Sequence, residues 1–187
     1  MPTYRDQTLI PTEAIRLAAL GALSEGPRQY GDLAVAVRHF ASRMLGPTLD
    51  VLGPSIETLR HEGLIEPVDP RAGHGQSLKG DTPVRLAAAG RAALVELLKS
   101  RVRAPMTDLA KMVVALKLRH LHLLEPADRK AQLQMLVELA EAELVRLRDL
   151  HGQQAGESPL LADWLAQDIA QTEQRLAWYR DKMNSLE

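Results

Sequence analysis

Apolar residues recur along most of the chain at spacings of three and four, the period of an amphipathic helix. Ile15, Ala18, Ala19, Ala22 and Leu23 predict a first helix, capped by Thr12 and stopped at Gly26-Pro27. Leu33, Val37, Phe40 and Met44 predict a second, from about residue 31 to Met44. Leu49, Leu52, Ile56 and Leu59 predict a short third helix. Glu62-Gly63 closes it, because glycine accepts the left-handed backbone of a last turn. Pro54 removes a backbone bond, so this helix either begins near Pro54 or bends there. Residues 64–68 and 82–86 then read as the strands of a hairpin. Pro67 and Pro83 cannot donate to a ladder, which asks for edge positions. Between the strands lies DPRAGHGQSLKGD, rich in glycine and carrying Arg71, His74 and Lys79. A fourth helix follows over about 87–101.

The remainder shows no strand signal. Thr107 caps a fifth helix carrying Leu109, Met112, Val113, Leu116, Leu121 and Leu124. A long sixth helix starts at Pro126 and runs to about Gln153, with Leu133, Leu136, Ala140, Leu144 and Leu147 along one stripe. Ser158-Pro159 starts the last one, whose stripe is Leu161, Leu165, Ile169, Leu176, Tyr179 and Met183. The fold class is therefore mainly α. A winged helix-turn-helix with a small β-hairpin is expected over 1–104, and an antiparallel, coiled-coil-like helical region over 105–187. One helical hairpin buries only one side of each helix. Stripes this long call for a partner, and a second copy of the chain supplies one, so a homodimer with 105–187 as its dimerisation region is expected.

The third helix and the hairpin after it have the order of a recognition helix and wing. Thr48, Ser55 and Thr58 lie on the outer face of that helix, and small polar side chains let a backbone approach base edges. Arg71, Lys79 and Arg85 on the wing suit phosphate contacts. A two-fold dimer would present two such helices to a pseudo-palindromic double-stranded operator. An amphipathic core helix beside a solvated hairpin would give the same local pattern.

Charge changes this picture little. Residues 1–104 carry 13 Lys and Arg against 11 Asp and Glu, and the rest carry 10 against 13. The front half is the more basic, but not strongly so. Cysteine is absent, which excludes disulfides, thiolate metal sites and a cysteine nucleophile. No apolar run approaches the roughly 18 residues of a membrane span, and the first residues lack a signal-peptide profile. A cytoplasmic protein without membrane contact is expected. His120 and His122 are two apart, so on a helix they point away from each other and make poor co-ligands. With no phosphate loop and no nucleophile elbow, neither an enzyme nor a bound cofactor or metal is expected. Trp164 and Trp178 are candidates for stacking a flat, small aromatic effector.

The segments that carry these elements resemble the PadR family of bacterial transcriptional regulators. Leu52-Gly53-Pro54-Ser55-Ile56-Glu57-Thr58-Leu59-Arg60-His61-Glu62-Gly63-Leu64-Ile65-Glu66 is similar to that family's recognition helix and its Gly-Leu-Ile-Glu exit. Val84-Arg85-Leu86-Ala87-Ala88-Ala89-Gly90-Arg91 looks like its wing exit. Leu20-Gly21-Ala22-Leu23-Ser24-Glu25-Gly26-Pro27, with Tyr30-Gly31, looks like its first helix and turn. Leu176-Ala177-Trp178-Tyr179 resembles the end of the longer, virulence-activator-like branch. Glu57 and Thr58 stand where the family often has basic residues, and Gly53 where it has an aromatic. The resemblance implies a DNA-binding, dimeric regulator. The alternative is a winged-helix module that binds a protein partner and not DNA.

Overall fold

A computed structural model describes residues 8–45, 53–73, 78–104, 106–154, 156 and 158–186. The chain forms two compact units, Met1–Leu124 and Glu125–Glu187.

Helix α1 (Pro11–Ser24) is the centre of the first unit and buries Ala14, Ile15, Leu17, Ala18, Ala19, Leu20 and Leu23. Its cap is Ile10 and not Thr12. Pro11 takes the first helical position, where its fixed φ fits and its missing N–H costs nothing. The Glu13 carboxylate then reaches back to accept the Ile10 N–H at 3.1 Å. After the turn at Gly26, whose φ of 142° suits glycine, comes a short strand, β1 (Arg28–Gln29), that the hydrophobic pattern did not predict.

Helix α2 (Tyr30–Leu45) starts on two backbone bonds, Tyr30 N–H to the Thr82 carbonyl at 2.9 Å and Gly31 N–H to the Gly80 carbonyl at 2.8 Å. Helix α3 (Gly53–His61) has Pro54 near its described start. It ends as its sequence predicts: Gly63 at φ 70° turns the chain, and the Leu64 N–H returns to the Leu59 carbonyl at 2.8 Å. Strands β2 (Ile65–Pro67) and β3 (Pro83–Leu86) pair antiparallel, and β1 adds to the far side of β3. The sheet order is β1-β3-β2, so Pro83 belongs to the central strand and not to an edge. It is tolerated as the first residue of β3, where its carbonyl accepts the Val68 N–H at 2.9 Å.

Helix α4 (Ala88–Lys99) follows directly from β3, and α5 (Asp108–His120) follows a parallel bridge between Thr8 and Arg101. The Thr107 hydroxyl caps α5 by accepting the Ala110 N–H at 3.2 Å. Helix α5 packs on α1 and α2 and buries Met112, Val113 and Leu116. The first compact unit therefore continues past the joint expected at 104/105 and closes at Leu124. His120, also on α5, is buried against α1 at Gly21, where an added Cβ would overlap the imidazole.

The second unit is a hairpin of α6 (Pro126–Gln154) and α7 (Pro159–Asn184). Leu133, Leu136, Val137, Ala140, Leu144 and Leu147 of α6 are buried, as are Ala162, Leu165, Thr172, Leu176 and Tyr179 of α7. Arg148–Glu173 and Arg180–Glu141, each at 2.6 Å, cross between the two antiparallel helices.

A candidate nucleic-acid interface

Helix α3 is anchored through Ile56 and Leu59, which are fully buried, and this turns Thr58 outward. Thr48 lies outside the described residues, as does the side chain of Ser55. The end of α3 is tied to α1 by an ion pair between Arg16 and Glu62.

Glu57 is the acidic residue that the sequence places awkwardly on this helix. Its carboxylate accepts from Arg60 Nε at 2.8 Å and lies 3.6 Å from His61 Nε2. Burial pushes the Tyr30 hydroxyl pKa up, and the charge and hydrogen bond of Glu57 push it further. Glu57 thus sits within a cluster of Tyr30, Arg60 and His61 that links α2 to α3. Its negative charge is largely compensated there.

On the wing, Arg85 stands opposite Glu66 in the β2–β3 register, and its Nε donates to that carboxylate at 2.8 Å. Both side chains are about half exposed, so the pair is worth at most ~1 kcal/mol and a phosphate could displace the glutamate. Arg71 is exposed in a 3-10 turn, Pro70–Gly73, held by its own N–H donating to Asp69 at 2.9 Å. Lys79 is exposed just before β3. The wing cations therefore share one hairpin, and Thr58 lies on the helix that feeds it.

Three further basic residues, Arg38, His39 and Arg43, are exposed on α2. The signal for them was present, since they lie off the Leu33–Val37–Ala41 stripe that α2 buries.

Trp164 and Trp178 are exposed on α7, at 60% and 44%. They are 14 positions apart, about 21 Å along a helix. One flat ligand cannot touch both within a single chain. Trp178 packs edge-on against Tyr179, with ring centroids 5.5 Å apart.

Among the described residues no group of three His, Cys, Asp or Glu is placed to hold a metal ion, and no helix is long and apolar enough to cross a membrane. The His120 and His122 rings are 6.4 Å apart and tilted. Burial, followed by the Arg119 charge, lowers the His120 pKa, while Glu25 opposes the shift.

The family described as "Putative AphA-like transcriptional regulator" matches residues 4–183. The chain belongs to this AphA-like family of transcriptional regulators. Membership agrees with the regulator class implied by the sequence resemblance. Similar solved structures include Bacillus subtilis PadR in complex with p-coumaric acid, at 16% identity and TM-score 0.38, over 95% of this chain and 97% of that one. Another is Bacillus subtilis PadR in complex with operator DNA, at 17% identity and TM-score 0.37, over 92% of this chain and 99% of that one. Among curated proteins, none matches the sequence. For an AphA-like chain, the three-helix core and the small sheet are the parts that present Thr58 and the wing cations.

Proposed function

We propose that this AphA-like regulator is a cytoplasmic homodimer that binds double-stranded DNA at a pseudo-palindromic operator. Helix α3 enters the major groove with Thr48, Ser55 and Thr58 toward the base edges. Arg71, Lys79 and Arg85 of the wing meet phosphates, and Arg38, His39 and Arg43 of α2 extend the basic track. Residues 1–104 serve DNA binding and 105–187 dimerisation. The observation that carries this reading is α3 packed through Ile56 and Leu59 with Thr58 outward, leading directly into the hairpin that carries Arg71, Lys79 and Arg85.

The dimer is expected from the apolar surface left on the α6–α7 hairpin, where Val145, Leu160 and Trp164 are each at least 60% exposed. Light scattering on the full chain should give twice the chain mass, and Trp164→Glu together with Leu160→Glu should shift it toward the monomer. A monomeric wild type would remove the two-fold geometry on which the operator prediction rests. A small aromatic effector would stack on Trp164 or Trp178, and quenching of tryptophan fluorescence by such compounds tests this. A titration panel that leaves the emission of both residues unchanged would contradict it.

The second reading, a winged-helix module that binds protein, is favoured by the pairing of Arg85 with Glu66 and of Arg60 with Glu57. These pairs leave the proposed DNA face less positive than its arginines alone suggest. The two readings separate on salt-sensitive binding to duplex DNA.

A further inference from the structure

The last residue of α5, His120, is 1% exposed where that helix meets α1 and α2. Its Nε2 lies so close to Gly21 of α1 that a Cβ there would fall onto the ring. The imidazole therefore fits only against bare backbone. Its Nδ1 is buried and has no hydrogen-bond partner. Beside the ring lies a cavity of about 50 Å³, walled by Ala18 and Ala22 of α1, Ala36, Val37 and Phe40 of α2, and Leu116 of α5. Arg28 and Arg119 stand on the same lining, and both donate to the Glu25 carboxylate.

This setting suits a neutral imidazole and not an imidazolium. A neutral ring carries one N–H and can leave its other nitrogen unpaired at the cost of one buried polar atom. A charged ring carries two N–H donors, and the one on Nδ1 would meet no acceptor among the described residues. The neighbouring charges add to the difficulty. Arg119 and His122 face the ring from its own end of α5 and the turn after it, and Arg28 faces the cavity from β1. Glu25, at the end of α1, is the one opposing charge printed on this cluster, and its carboxylate is already taken by Arg28 and Arg119. Helices α1 and α2 themselves bring only apolar residues to the cavity. Lys117, one turn earlier on α5, turns its amino group to the carbonyls at the end of α4.

We infer that His120 is an acid-sensitive latch: α5 stays seated on α1 and α2 while the imidazole is neutral, and protonation unseats it. Burial and the Arg119 charge hold the pKa of the packed ring below its ordinary 6.5. Below about pH 6.5 the opened segment therefore takes up a proton that the packed ring resists. Opening becomes easier as the pH falls, by at most about tenfold per unit. The latch stands whether or not the chain binds DNA. Its consequence for operator binding rests on the proposed DNA reading: α1 also carries Arg16, whose ion pair with Glu62 ties down the end of α3, so acid would loosen the support of that helix.

The test is hydrogen exchange on the full chain without DNA, read peptide by peptide and corrected for the pH dependence of chemical exchange. Between pH 7.0 and pH 5.5 the protection of α1 and α5 should fall severalfold, and by at most about tenfold. His120→Gln cannot take up the proton and should remove that fall. Should the variant fail to fold, the ring resonances of His120 in the wild type decide the matter. At about pH 6.0 they should still be mostly those of neutral imidazole, where an unperturbed histidine is mostly protonated. The inference is overturned if α1 and α5 are equally protected at both pH values, if folded His120→Gln loses as much protection as the wild type, or if the His120 ring is mostly protonated at about pH 6.0. Because DNA takes no part, a failure here leaves the operator reading untouched. A failure to bind DNA likewise leaves the latch standing.

Discussion

Replacing Gly90 with alanine should cost the first unit about 3 kcal/mol of stability. Helix propensity alone argues the opposite, because alanine in a helix is favoured over glycine by about 1 kcal/mol. The sign is therefore decided by packing. A Cβ at Gly90 would overlap the Leu64 carbonyl oxygen and lie 2.9 Å from its carbon. That carbonyl cannot simply move aside. It accepts the Ala87 N–H at 3.1 Å, and it follows Gly63, the left-handed turn that joins α3 to β2. At Gly90, α4 thus passes close to the corner between α3 and β2. Urea denaturation of wild type and Gly90→Ala should show a lower midpoint for the variant with a similar slope. A variant as stable as wild type, or more so, would mean that the corner is looser than the structure has it.

Lys117→Met should cost about 2–4 kcal/mol at alkaline pH, and less as the pH falls. The Lys117 side chain is 1% exposed on α5, and its Nζ donates to the Leu98 carbonyl at 2.5 Å and the Ser100 carbonyl at 2.6 Å. These carbonyls close the C-terminal end of α4, so the lysine clamps α4 to α5. Methionine keeps most of the volume but leaves both acceptors without this donor. The pH dependence follows from burial, which pushes the amino group from 10.5 down to about 7. In the unfolded chain the lysine keeps its proton up to its ordinary pKa, while in the fold it sheds it near neutrality. Between those two values the unfolded state binds more protons, so stability rises with pH, by at most about 1.4 kcal/mol per unit. The two carbonyls favour the proton and moderate that rise without reversing it. Thermal melts of the wild type should therefore show a rise between about pH 7 and 10 that Lys117→Met lacks. Parallel profiles for the two proteins would contradict this account of the clamp.

Much of the frame was legible from residue types alone. Gly63, Thr107 and Pro159 each act by a local rule, and each does what its position predicts. Thr12 was misread because two local rules compete there. Pro11 is suited to the first helical turn, and Glu13 caps from within, so the boundary lies two residues earlier than a search for a capping hydroxyl suggests. Strand β1 has two residues, too few for any alternation to show, and only its pairing with β3 reveals it. The placement of α5 in the first unit depends on long-range packing against α1 and α2. Its signal was present but unused: Val113, Lys117 and His120 fall on one stripe, and all three are buried.

The candidate interface was less legible than the frame. Thr58, Arg71, Lys79 and Arg85 could be read as positions, but not their partners. The Arg85–Glu66 pair follows from strand register, which the sequence leaves open by one residue in either direction. The compensation of Glu57 could have been seen in part, since Arg60 and His61 stand three and four residues on. Tyr30 comes from a different helix and could not.

The most direct test of the DNA reading is the salt dependence of binding to duplexes selected by the full chain from a random pool. The account predicts that an inverted repeat is enriched and that the logarithm of the binding constant falls steeply and linearly with the logarithm of salt concentration. Lys79→Ala and Arg85→Ala should each make that slope shallower by about one. A pool from which nothing is enriched even at low salt would contradict it, and would leave the protein-binding module as the reading to pursue.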